Sequence, residues 1–91
     1  SIADELEREG ERALATVERR AADAGVATST AVVRGVPHEA ILSHAEDVGA
    51  DLVVMSTHGR TGIDRFLLGS VTEKVIRSTA LPVLVIRAQS D

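Results

Sequence analysis

Apolar positions along the chain switch between two rhythms. Over "SIADELEREGERALATVERRAADAG", Ile2, Leu6, Ala13, Leu14, Val17, Ala21 and Ala24 recur at steps of three, four or seven. That spacing lines one face of a helix, with Glu and Arg over the other. Gly10 weakens this helix and Gly25 is placed to stop it. "VATSTAVVRG" is β-branched and mostly alternating, which predicts a strand with one wet side near a sheet edge. "PHEAILSHAEDVG" predicts a second helix, opened by Pro37 in its first turn and ended by Gly49. Ile41, Leu42, Ala45 and Val48 share its apolar face. "DLVVM" is a continuous apolar run of the kind found in strands buried on both faces. "SVTEKVIRSTA" returns to the helical period, with Val71, Val75, Ile76 and Thr79 on one side. "PVLVIR" is a second buried-type strand, with Pro82 at its start.

The order is helix–strand–helix–strand–helix–strand, and this alternation implies an α/β fold with a parallel sheet and right-handed crossovers. Residues 52–56 and 83–87 are expected as adjacent parallel strands, joined by a helix from about residue 71 to residue 80. The length of 91 residues fits a single domain spanning 1–91. The one aromatic is Phe66, so the core must come from Val, Leu, Ile and Ala. A net charge of -4 disfavours a general nucleic-acid or anionic-membrane surface. Cysteine is absent, which excludes disulfides and thiolate metal sites. No apolar run approaches the roughly 20 residues of a membrane span, and the expected location is cytoplasmic.

Most connections in compact domains take about 4–6 residues. Here "STHGRTGIDRFLLGS", residues 56–70, follows "DLVVM" with three glycines, two arginines and a histidine. Open parallel sheets bind ligands beyond the carboxyl ends of their strands, which is where this loop lies. Ser70-Val71-Thr72-Glu73 has the S-x-x-E form of a capping box, so a helix is expected to begin at Ser70. A helix N-terminus offers free N–H groups and a positive dipole end to anions. Gly59, Gly62 and Gly69 permit positive φ and close approach to a ligand. Arg60 and Arg65 supply counter-charge. The bland alternative is helix-entry geometry that binds nothing. Neither a Walker loop nor the dinucleotide fingerprint G-x-G-x-x-G occurs.

"DLVVMSTHGRTGIDRFLLGSVTEKVIRSTALPVLVIR" closely resembles the C-terminal half of the universal stress protein family, and the likeness reaches back through "GVPHEAIL" to the first helix. The nucleotide-binding branch of that family carries G-x2-G-x9-G-[ST]. Gly59, nine residues, then Gly69-Ser70 match its last three fixed positions, whereas Ser56 stands at the first. The resemblance implies a Rossmann-like (adenine nucleotide alpha-hydrolase-like) parallel sheet with flanking helices. It also implies a nucleotide site built from Met55, Ser56, Gly59, Arg60, Gly69, Ser70, Val71 and Thr72, holding ATP or a related adenine nucleotide, with Mg2+ as a companion ion. Family members begin with a strand whose aspartate helps hold the adenine, then a helix and a second strand; nothing here corresponds to them. Relative to the family, the chain lacks the first two strands and first helix and resembles a C-terminal fragment. Three explanations stay open: an upstream portion was lost, another chain completes the sheet, or the remaining elements pack differently.

His58 lies inside the loop, within reach of a phosphate, though exposed loop histidines are common. His38 and His44, six apart on a helix, do not align for a metal. Asp64 could contact a magnesium ion, but a turn role explains it as well. No Ser/His/Asp arrangement can be drawn from the sequence, and no base or arginine finger that would require hydrolysis is visible. The expectation is a regulatory nucleotide-binding module in stress response, with slow hydrolysis at most. The alternative is a dimerisation scaffold that has lost its ligand. In either case the Val83–Arg87 strand is expected to pair with its copy in a homodimer.

Overall fold

The computed structural model describes residues 1–56 and 69–86. The chain divides into two compact units, Ser1–Val33 and Arg34–Asp91. Helix α1 (Ile2–Asp23) belongs to the first. The second holds α2 (Pro37–Asp47), strand β1 (Val53–Ser56), α3 (Ser70–Ser78) and strand β2 (Val83–Ile86).

Helix α1 starts where its sequence can satisfy free N–H groups. The Ser1 hydroxyl accepts from the Asp4 N–H at 3.3 Å. Asp4 and Glu5 occupy the first turn, where negative charge meets the positive dipole end. Its end is chemical as well. Gly25 takes φ +76°, and Val26 N–H donates to Ala21 O at 2.8 Å while Gly25 N–H donates to Ala22 O at 3.0 Å. This crossed pair satisfies carbonyls that the last helical turn leaves open. Helix α2 closes identically: Gly49 has φ +66°, Ala50 N–H donates to Ala45 O, and Gly49 N–H donates to Glu46 O. Pro37 is its first residue, where no N–H is needed.

Strands β1 and β2 pair in parallel, with Val53 opposite Val83 and Ser56 opposite Ile86. Helix α3 makes the crossover between them, as the alternation of elements requires. The core lies on one face of this sheet: Ala45 of α2, Val53 of β1 and Val75 of α3 are buried. Ile41, Leu42, Ala50, Met55, Val71, Leu81 and Val83 pack around them.

Several expectations need correction. Residues 26–34 form no strand. β-Propensity favours extended backbone, but a strand exists only when a neighbour completes the ladder, and the two-stranded sheet is β1 with β2. Strands β1 and β2 are not buried on both faces: Val54, Leu84 and Ile86 are each about half exposed. Their pleat sends alternate residues to opposite sides, and the core elements α2 and α3 cover the side of Val53, Met55 and Val83. The apolar stripe of α1 contains no buried residue. Val48 and Ile76 are exposed, and Thr72 takes the buried place beside Val75. The capping box does not form either. Gly69 is the N-cap, Ser70 is the first helical residue, and among the described residues no side chain caps the helix. Gly69 also has φ -61° and ψ 148°, so it makes no use of positive φ.

Candidate functional site

The site expected from the sequence has two described edges. Met55 and Ser56 form the first, at the carboxyl end of β1. Met55 is half-buried against the core, whereas Ser56 is exposed. Gly69, Ser70, Val71 and Thr72 form the second, at the start of α3. Gly59 and Arg60 lie outside the described residues, as do Gly62, His58, Asp64 and Arg65.

The two edges meet. The Thr72 hydroxyl donates to the Ser56 carbonyl oxygen at 3.5 Å, and Thr72 is 3% exposed. This contact links the first turn of the helix to the last residue of the strand, across sixteen positions of sequence. The family pattern puts Thr72 at the ligand and carries no sign of this link. The signal in the sequence is the phase of Thr72, three residues before the buried Val75 on the same helical face.

Among the described residues no side chain fills the N-terminus of α3. Its first helical bond runs from Glu73 N–H to Gly69 O at 3.0 Å, so the N–H groups of Ser70, Val71 and Thr72 have no intrahelical acceptor. A carboxylate reaching back from Glu73 would have partly filled this end. Instead Glu73 accepts from the Arg77 guanidinium at 2.7 Å, one turn onward. Glu and Arg four apart on a helix already signalled that pairing. Gly69 is buried and Ser70 exposed. An anion held here would meet backbone donors and the positive end of the helix dipole together.

The opposite end of the sheet differs in character. A groove of about 410 Å³ lies there, lined by Leu42, Ala45, Glu46, Ala50, Thr79 and Leu81, among the C-terminal ends of α2 and α3. Helix C-termini and a carboxylate disfavour an anion. His38 lies 3.9 Å from Glu39, its neighbour on α2. Among the described residues no group of three or more His, Asp or Glu could hold a metal ion.

The model of the universal stress protein family matches residues 1–87. The chain belongs to that family. Universal stress protein MJ0531 of Methanocaldococcus jannaschii is 45% identical over 94% of this chain and 51% of its own length. Universal stress protein MJ0577 of the same organism is 36% identical over 99% of this chain and 56% of its own. Universal stress protein YxiE of Bacillus subtilis is 36% identical over 94% and 58%. The chain thus spans little more than half the length of the relatives it matches. The solved structure of MJ0577 superposes with a TM-score of 0.87 over 99% of this chain and 62% of that one. The fold is therefore the Rossmann-like α/β fold of this family, with a shorter parallel sheet. Among the described residues no helix is long and apolar enough to cross a membrane.

Proposed function

We propose that this member of the universal stress protein family is a cytoplasmic regulatory module that binds ATP or a related adenine nucleotide. The observation that carries this reading is the N-terminus of α3, whose Ser70, Val71 and Thr72 N–H groups lack intrahelical acceptors. It lies beside the carboxyl end of β1, the usual place for a ligand in a parallel sheet. Met55 and Ser56 would flank the ribose, and Gly59 and Gly69 would let backbone come close. The N–H groups of Ser70, Val71 and Thr72 would hold phosphate, with Arg60 as counter-charge and Mg2+ on the triphosphate when present. The spacing from Gly59 to Gly69-Ser70 matches the pattern of the family's nucleotide-binding branch, and Ser56 departs from it.

Calorimetry with ATP tests the proposal. The parent is expected to bind, and Gly69→Val to abolish binding by crowding the N–H groups. Arg60→Ala is expected to cost only about 1–3 kcal/mol, the value of one charge-assisted bond. Equal ATP binding by the parent and Gly69→Val would refute it.

A second reading has its own support. The bare apolar face of Val54, Leu84 and Ile86, together with the outer edge of β2, suits a scaffold that dimerises instead of binding nucleotide. Parent protein that self-associates yet shows no heat with ATP would favour it.

A further inference from the structure

We infer that Thr72 is a positioning residue for the nucleotide site, acting through its hydroxyl on Ser56 while that hydroxyl touches no ligand. The inference rests on the nucleotide reading above and deepens it. Three observations converge on Thr72. Its side chain is 3% exposed, on the same face as the fully buried Val75, so the hydroxyl is turned into the protein. The hydroxyl has an acceptor there, the Ser56 carbonyl oxygen at 3.5 Å. Among the described residues no side chain caps α3, and Val71 packs its first turn against the core without a polar link to β1.

The consequence follows from where the two partners sit. Residue 56 ends β1 and residue 72 lies in the first turn of α3, so their contact of 3.5 Å, long for a hydroxyl bond, adds a polar link between the two edges to the packing of Val71 and Val75. Donor N–H groups of Ser70 and Val71 ride on that turn. If the turn shifts, the donors move relative to Met55 and Ser56, and a ligand spanning both edges loses alignment. A hydroxyl buried beside Val75 would otherwise be a poor choice, because valine fills the same space without a polar atom to satisfy.

The test separates hydroxyl from methyl and tie from ligand contact. Thr72→Val removes the hydroxyl and keeps the volume. Thr72→Ser and Thr72→Ala both lack the methyl and differ in the hydroxyl alone, which keeps the comparison alive should Thr72→Val not fold. Amide hydrogen exchange of the ligand-free protein reads the tie. The Glu73 amide, donor of the first helical bond, should exchange faster in Thr72→Val than in the parent, while the Thr79 amide at the far end should not change. Calorimetry with ATP reads the consequence. Affinity should fall roughly two- to threefold in Thr72→Val, the low end for one neutral hydrogen bond, because the contact is long. Thr72→Ser should stay near the parent in both measurements, and Thr72→Ala should follow Thr72→Val.

Unchanged Glu73 exchange with reduced ATP affinity would mean that the hydroxyl contacts the ligand itself, which overturns the inference. Faster exchange with unchanged affinity would make the tie purely structural and overturn it too. Thr72→Ser matching Thr72→Ala would assign the effect to the methyl, with the same result. If the parent binds no ATP while Glu73 exchange still responds to Thr72→Val, the nucleotide reading has failed and the tie has not.

Discussion

Replacing valine by threonine at two positions tests the division of the sheet into a covered and a bare face. Threonine keeps the volume and the β-branching, so propensity changes little and the hydroxyl is what differs. Val75 is 0% exposed, with Ala45 and Val53 as the buried partners of its cluster. A hydroxyl there loses water, at about 1–3 kcal/mol from mutational data. One buried methyl is also lost, worth about 0.8 kcal/mol. The sum is about 2–4 kcal/mol, nearer the lower figure if the hydroxyl bonds back to the Val71 carbonyl one turn earlier. Val54 is 52% exposed, so its new hydroxyl stays wet and the change should remain within about 0.5 kcal/mol. For a domain of this size each kcal/mol moves the midpoint by about 4–8 °C. Thermal unfolding followed by circular dichroism should thus show Val75→Thr lower by about 10 °C or more and Val54→Thr within a few degrees of the parent. Equal losses at both positions would show that the second face is covered, and the packing described here would be wrong.

Two further outcomes are expected. Gly49→Ala should destabilise by about 1–2 kcal/mol through backbone strain alone, since φ is +66° and an added Cβ meets no atom within 4 Å; an unchanged denaturant midpoint would contradict that. Leu84→Lys, on the bare face, should leave the unfolding midpoint within a few degrees and, on the scaffold reading, weaken self-association in sedimentation. Collapse of the fold in that variant would place Leu84 in a core.

What could be read from the sequence was what neighbours in the chain decide. The helical periods, Pro37 at a helix start, and the stops at Gly25 and Gly49 each depend on a few adjacent residues, and all appear. The parallel pairing of β1 with β2 was also legible, because a helix of the right length separates two apolar runs. Residues 26–34 were misread because a strand depends on a partner distant in sequence. The bare face of Val54, Leu84 and Ile86 was missed for a related reason: an apolar run states a capacity for burial and not what does the burying. Choosing Ser70 over Gly69 as N-cap was a near tie, because glycine caps only a few tenths of a kcal/mol less well than serine. Of the eight candidate site residues, six lie among the described ones, Met55 and Ser56 at the end of β1 and Gly69, Ser70, Val71 and Thr72 at the start of α3. The contact of Thr72 with Ser56 is long-range, and its one local sign is the phase of Thr72 on the face of Val75, which marks burial and does not name the partner.

Gly69 then poses a question that its backbone does not answer. With φ -61° and ψ 148°, any L-residue fits the conformation, so glycine is not there for the left-handed region. It is not the best N-cap either, since a serine side chain would accept one of the free N–H groups of Ser70–Thr72. What glycine supplies is the absence of a side chain at a buried position, directly before those donors. Two uses of that space make opposite predictions for Gly69→Ser. If the space belongs to a ligand, the new hydroxyl caps the helix, stability holds or rises by a few tenths of a kcal/mol, and the serine competes with phosphate for the same N–H groups. ATP affinity should then fall at least tenfold in calorimetry while the unfolding midpoint stays put. If the space is needed for packing of the protein itself, the midpoint should fall and any loss of affinity should track it. A drop in stability would therefore remove Gly69 from the nucleotide site.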